Sequence, residues 1–254
     1  MPEVLITGAE GRIGRVLADG LAERGMSLRL FDRVDGVPGA IVGDLADLSL
    51  LESSMAGVDC VVHLAGIPEE APFPDLLEDN IRGTYHVFEA ARRAAVGRVV
   101  FASTNHVIGF HPSSDVVDER VEPRPDTLYG VTKVFGESLG RLYHDKHGIE
   151  VVAVRIGSFR DRPATERELS TWLSHGDSVR LFAACVDAPQ VGYLVVYGVS
   201  ANTRSRWRDG AADAIGYRPA DDAEVFAGEV SSGEAADRFH GGGYTAPGHT
   251  GGGF

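Results

Sequence analysis

The sequence predicts an α/β fold, a doubly wound parallel sheet with helices on both faces and a small C-terminal cap. Three observations carry that reading. Short apolar runs of strand length alternate with segments of helical period through the first 160 residues. The runs are almost entirely apolar, as strands buried on both faces must be. The first of them leads directly into a glycine-rich turn that opens a helical segment.

Strands are expected at residues 4–7, 28–32, 40–43, 60–66, 98–104 and 151–157. Between them, Ile13, Val16, Leu17 and Leu21 recur at helical spacing, as do Leu128, Val131, Phe135, Leu139 and Leu142. These segments are the covering helices. After Arg162-Pro163 come two shorter helical segments, around 166–173 and 177–186, and one apolar strand at 193–197. That is too little chain for a second domain. Residues 1–254 therefore read as one domain, with a core at 1–157, a cap at 158–240 and a tail at 241–254. The tail holds seven glycines in fourteen residues and few apolar side chains to offset the entropy of ordering. It is expected to be mobile or held only by a partner.

Composition narrows the partners. Of 254 residues 43% are hydrophobic and 24% charged, an ordinary globular balance, and the net charge is −13. No positive excess is present to neutralise a phosphate backbone or an anionic bilayer, so neither nucleic acid nor a membrane is expected as a partner. The two cysteines, Cys60 and Cys185, lack the paired spacing of a metal or redox site and read as buried apolar residues of a reducing compartment. No metal is expected. The N-terminus MPEVLITGAEG has no signal-type apolar stretch, and a cytoplasmic location follows as the expectation.

TGAEGRIG places Gly8, Gly11, Arg12, Ile13 and Gly14 at the mouth of the first helix. Glycines there let the backbone turn tightly and approach a pyrophosphate, and the helix N-terminus offers unpaired N–H groups to the anion. A plain turn is the alternative. Asp32 ends the second strand, where a carboxylate accepts from an adenosine ribose and repels a 2′-phosphate, favouring NAD over NADP; the adjacent Arg33 points the other way. Asp44 and Leu45 follow the third strand, at the adenine position of such Rossmann-type folds. Leu64, Ala65 and Gly66 follow the fourth and leave room for a dinucleotide. Asp44 could instead be a helix N-cap.

Tyr129 and Lys133 stand four apart on a helical segment, so they share a face. A nearby ammonium stabilises a phenolate, and such a pair can take a proton from a hydroxyl while hydride leaves the same carbon. The fifth strand ends in FASTNH, with hydroxyls on Ser103 and Thr104. A hydroxyl, a tyrosine and a lysine downstream of a glycine-rich nucleotide loop form a specific joint signal.

With these residues in place, the chain resembles the extended short-chain dehydrogenase/reductase superfamily from residue 3 to about 245. FASTNHVIGFHP, RPDTLYGVTKVFGE, VRIGS, ELSTWLSHGD and RFHGGGYT look like the uronate dehydrogenases within it. The resemblance implies that NAD accepts hydride from the anomeric C1 hydroxyl of cyclic D-glucuronate or D-galacturonate, giving the aldaric acid lactone. It implies Tyr129 as general base, and Lys133 as the group that lowers its pKa and holds the nicotinamide ribose. Thr104 becomes the hydroxyl partner, Asn105, His106 and Ser158 substrate contacts, and Arg167 the clamp on the uronate carboxylate. A guanidinium suits that last task, since it binds a carboxylate through two parallel hydrogen bonds. The residues alone also allow Arg167 to pair with Glu166 or Glu168, and His106 to be an interior histidine. Two departures stand out. Ile67-Pro68 occupies the place of the family's serine after HLAG, and Thr104 replaces the usual serine. Two other readings remain at this point: a nucleotide-sugar epimerase or dehydratase, which the short stretch after Gly157 scarcely accommodates, and a non-catalytic NAD sensor. Folds of this class often form homo-oligomers, but no interface patch is legible.

Overall fold

The computed structural model describes residues 2–208, 210–231 and 238–251. Its centre is a seven-stranded parallel sheet. The strands are β1 (Glu3–Thr7), β2 (Ser27–Asp32), β3 (Ile41–Val42), β4 (Cys60–His63), β5 (Arg98–Thr104) and β6 (Glu150–Ile156), with β9 (Tyr193–Gly198) at the far edge. Their spatial order is β3-β2-β1-β4-β5-β6-β9. The order reverses between β1 and β4, and a doubly wound sheet opens its crevice at the carboxyl ends of the strands on either side of such a reversal.

Side-chain alternation builds two cores. Val4, Ile6, Val62, Val100, Val152 and Val154 face one side, where they meet Leu17 and Leu21 of α1 (Arg12–Glu23) and Leu181, Phe182 and Cys185 of α7 (His175–Asp187). Leu5, Phe31, Val61, Val99 and Val151 face the other, against Leu51 of α2 (Leu48–Ser54), Val87 and Phe88 of α4 (Gly83–Arg93) and Tyr143 of α5 (Leu128–His147). Burial on both faces explains why these strands read as unbroken apolar runs. Before α4 the chain makes one short helix, α3 (Phe73–Leu76), and a π-helical turn at Leu77–Arg82. Thr127 caps α5 by accepting from the Gly130 N–H, and left-handed Gly148 ends it. Helix α5 lies close on the sheet because Gly136 has no side chain; a Cβ there would stand 2.2 Å from the Phe101 ring.

Beyond β6 a two-stranded parallel ribbon joins β7 (Ser158–Phe159) to β8 (Trp172–Leu173), with α6 (Glu168–Thr171) between them. The short helix α8 (Gly210–Ala214) follows β9 and packs on it. No helix among the described residues is long and apolar enough to cross a membrane.

Four sequence expectations change. The fourth strand stops at His63, because Gly66 takes φ 137° and Leu64–Gly66 turns away from the sheet. The helix expected at 166–173 covers only Glu168–Thr171, since Trp172 and Leu173 pair as β8. The strand expected within the cap is the seventh strand of the main sheet, in register with β6 from Val151 opposite Tyr193 to Ile156 opposite Gly198. The tail, expected to be mobile or held only by a partner, docks on the chain itself through residue 251; residues 252–254 lie outside the described residues. The Gly241 N–H donates to the Gly109 carbonyl at 2.9 Å, and Gly242–Thr245 forms a 3₁₀ turn whose Tyr244 packs on His106. Ring packing and backbone pairing to the core supply contacts that composition alone does not show.

Candidate active site

A cleft of about 670 Å³ runs along the carboxyl ends of the strands, and every site residue that the sequence nominates lines it. At one end, Gly8 adopts φ +75°, and a Cβ on Gly14 would stand 2.1 Å from the Gly8 carbonyl oxygen. Gly11 caps α1 without a side-chain hydrogen bond, so the first-turn N–H groups are not taken by a capping side chain. Arg12, Ile13 and Gly14 continue that rim. The cradle therefore has the bare backbone that a pyrophosphate needs, and the residues present fit a dinucleotide.

Asp32 accepts from the Glu10 N–H at 2.9 Å and the Val34 N–H at 3.1 Å, which fixes its carboxylate at the edge of the cleft. Arg33 pairs with Asp79 at 3.2 Å. Asp44 accepts from the Ala46 N–H, while the N-cap of α2 is Asp47, so the capping alternative for Asp44 falls away. Leu45 gives its carbonyl to His86. Leu64, Ala65 and Gly66 form the floor, and Asn80 holds the next loop by accepting from the Ile67 N–H at 2.7 Å and donating to its carbonyl at 3.0 Å. Ile67 and Pro68, the departures from the family pattern, line the wall there.

At the other end, Tyr129 and Lys133 rise from α5 with the ammonium 5.6 Å from the tyrosine ring centroid. Burial pushes the Tyr129 phenol well above its usual pKa, and the neighbouring Thr104 hydroxyl works in the opposite direction. The same burial pulls Lys133 down to about 8. Of the two hydroxyls offered by the fifth strand, Ser103 donates to Glu137 at 2.6 Å, and that carboxylate is paired with Arg155. Thr104 remains beside Tyr129.

The cap and the C-terminal segment complete this end. Arg167 donates to the His240 carbonyl from Nε at 3.0 Å and Nη2 at 2.7 Å. Asn105, oriented by its neighbours, accepts from Arg167 Nη2 at 2.8 Å and donates to the Ile156 carbonyl at 3.1 Å. The carboxylates weighed as alternative partners of Arg167 pair with other arginines, Glu168 with Arg160 and Glu166 with Arg204. Ser158 shares a hydrogen bond with Thr171 at 2.9 Å. His106 is buried, as an interior histidine would be, yet it lines the cleft with the Tyr244 ring packed against it, tilted by 38° at 4.1 Å between centroids.

Sequence reasoning missed Glu10, Asp79, Asn80 and Tyr244. The first three carry no spacing signal of their own. Tyr244 lies within RFHGGGYT, so a signal existed there without an assigned role.

Residues 4–160 match the NAD dependent epimerase/dehydratase family. The chain belongs to that family. Within it, this chain is 42% identical over 254 residues to a uronate dehydrogenase from Agrobacterium fabrum strain C58, covering 95% of this chain and 96% of the relative. Among solved structures, a mutant of uronate dehydrogenase from Agrobacterium tumefaciens complexed with NAD superposes with a TM-score of 0.90 at 42% identity, over 96% of this chain and 97% of that one. A glucuronic acid dehydrogenase from Chromohalobacter salexigens superposes at 0.91 with 38% identity, over 98% of both. For this epimerase/dehydratase-family member the likeness runs through the cap and the C-terminal segment as well as the nucleotide-binding core.

Proposed function

We propose that this enzyme oxidises the anomeric C1 hydroxyl of a cyclic hexuronate such as D-glucuronate or D-galacturonate, with NAD as hydride acceptor, and releases the aldaric acid lactone. The observation that carries the reading is the meeting of Tyr129 and Lys133 with Arg167 in a single cleft, a proton-accepting pair beside a guanidinium. The uronate dehydrogenase relatives, similar over nearly the whole chain, support the same substrate class.

Bound NAD supplies the hydride acceptor. The chain's own groups do the rest. Gly8, Gly11, Arg12, Ile13 and Gly14 hold the pyrophosphate, Asp32 the adenosine ribose, Asp44 and Leu45 the adenine, and Leu64, Ala65 and Gly66 the middle of the dinucleotide. Lys133 holds the nicotinamide ribose and stabilises the Tyr129 phenolate by its charge. Tyr129 takes the hydroxyl proton as hydride leaves C1, and the carbon left behind becomes the lactone carbonyl. Thr104 hydrogen-bonds the reacting oxygen. Arg167 grips the carboxylate, while Asn105, His106 and Ser158 contact the ring hydroxyls. Burial raises the phenol pKa, so the Thr104 hydroxyl and the Lys133 charge have to work against it for Tyr129 to accept the proton.

The test is NADH formation, followed by absorbance, with glucuronate, galacturonate, glucose and galactose offered in turn with NAD or NADP. Oxidation of the two acids with NAD, and at least about tenfold weaker use of the neutral sugars, is expected from a charge-assisted clamp. Equal use of acid and neutral sugar would remove Arg167 from the specificity role, and inactivity on both acids would overturn the reading.

A further inference from the structure

Asp126 has none of the roles given above, yet it reaches the cleft through His106. Its side chain is fully buried, and both of its oxygens lie at hydrogen-bond distance from His106 Nδ1, at 2.9 and 3.0 Å. The Thr127 hydroxyl donates to it at 3.3 Å. Two glycines make the room. A Cβ on Gly109 would stand 1.9 Å from Asp126 Oδ2, and one on Gly241 1.7 Å from the same atom. Gly241 lies in RFHGGGYT, the motif left without a role, and its N–H binds the Gly109 carbonyl. Three residues later Tyr244 covers the His106 ring. Separate stretches of chain are thus shaped around a single carboxylate and imidazole.

An ionised carboxylate accepts hydrogen bonds and donates none, so the ring nitrogen facing it carries the hydrogen. His106 Nε2 makes no hydrogen bond among the described residues, and the ring lines the cleft 6.3 Å from the Tyr129 ring. We propose that Asp126 is a positioning residue that holds His106 in its neutral Nδ1–H form, leaving Nε2 as the acceptor for a hydroxyl of the bound uronate. The identity of that hydroxyl rests on the function proposed above, whereas the tautomer is a property of the chain. The RFHGGGYT segment then serves to seal the pair: Gly241 leaves space for the carboxylate and Tyr244 fixes the ring plane. The three-way logic of reacting group, imidazole and orienting carboxylate is general among enzymes.

The experiment uses the full chain labelled with ¹⁵N-histidine. Two-bond ¹H–¹⁵N correlations report each tautomer, and His106 is assigned by the signal lost in His106→Gln. Wild type is expected to show the Nδ1–H form. Asp126→Asn, whose amide can turn to donate to Nδ1, is expected to move His106 to the Nε2–H form. It should also raise the uronate KM about tenfold, with kcat and the NAD Kd held within about twofold. Gly241→Ala displaces the carboxylate without deleting it and should raise KM in the same way, which keeps the test open if Asp126→Asn folds poorly. An Nε2–H signal in wild type overturns the proposal. So does an unchanged KM in a variant whose tautomer has moved. A wild type that shows the Nδ1–H form and turns over no uronate overturns the functional reading and the hydroxyl's identity, while the Asp126–His106 pairing stands.

Discussion

The two ends of the cleft are made in different ways. The dinucleotide end consists largely of backbone: bare glycines, the start of α1, which Gly11 caps without a side chain, and carboxylates held by main-chain N–H groups, contributed by β1, β2, β3 and β4 and the turns that follow them. The end proposed to hold the sugar consists of side chains from distant segments, with Arg167 from the cap bound to Asn105 after β5 and to the His240 carbonyl near the C-terminus. Recognition of a constant cofactor is local and rigid, because each turn is fixed by its own strand and helix. Recognition of the variable substrate depends on long-range packing, so it can change without disturbing the sheet.

Tyr129→Phe should cut kcat by roughly a hundred- to ten-thousand-fold while leaving the NAD Kd within about twofold, measured by stopped-flow and fluorescence titration. Retained turnover would mean that another group removes the proton, and the division between a binding end and a reacting end would fail. Arg167→Ala should raise the uronate KM by roughly ten- to a hundredfold, since a charge-assisted bidentate contact contributes about 1.5–3 kcal/mol. Because Arg167 also ties down the His240 carbonyl, Arg167→Lys separates charge from fork geometry: a recovery limited to a small fraction of the affinity is expected.

A smaller effect is expected at the opposite end. Asp32→Ala should relax the preference for NAD over NADP by about tenfold in kcat/KM, leaving uronate KM unmoved. Arg33, released in Asp79→Ala, should add to NADP use in the double variant. An unaltered cofactor ratio in both would show that selection at this end lies elsewhere.

The smallest effect concerns stability. Burial lowers Lys133 from 10.5 to about 8, so the unfolded chain binds more protons than the folded one between those values. Its unfavourable contribution is complete below about pH 8 and fades as pH rises toward 10.5. Lys133→Met should therefore raise the free energy of unfolding at pH 7 by about 1 kcal/mol or more and flatten that part of the pH profile, even as activity is lost. Urea unfolding at pH 7 and pH 10 checks the sign. His63 contributes in the opposite pH range: burial and the Lys133 charge lower it to about 3, so folding loses stability as pH falls below about 6.5.

Much of the dinucleotide end was legible because its signals are contiguous in sequence. TGAEGRIG, Asp32 and the alternation of apolar strands with amphipathic helices each report on neighbouring residues. Tyr129 and Lys133 were legible for the same reason, since one helical turn brings them together. The sugar end was legible only in part. From the residues alone Arg167 read better as a surface arginine paired with Glu166 or Glu168, until the fold placed Asn105 and the His240 carbonyl around it. The Tyr193–Gly198 segment looked like part of the cap because an apolar run does not name the strand it will join. The glycine-rich tail was misjudged from composition, because the gain from ordering residues 241–251 comes from His106, Gly109 and the rest of the cleft wall, and none of those is a sequence neighbour.

By itself, then, the sequence determined the layered α/β class, the glycine turn at the mouth of the first helix and the pairing of phenol with amine, since all three follow from spacing along one strand, one turn or one helix. The tertiary structure alone decided that Ser103 turns to Glu137, what binds Arg167, and that Asp126, Gly109 and Gly241 converge on His106. Those outcomes depend on burial and on close approach between segments that are not neighbours in the chain, the most distant being those of Gly109 and Gly241, and no local pattern of residues encodes such an approach.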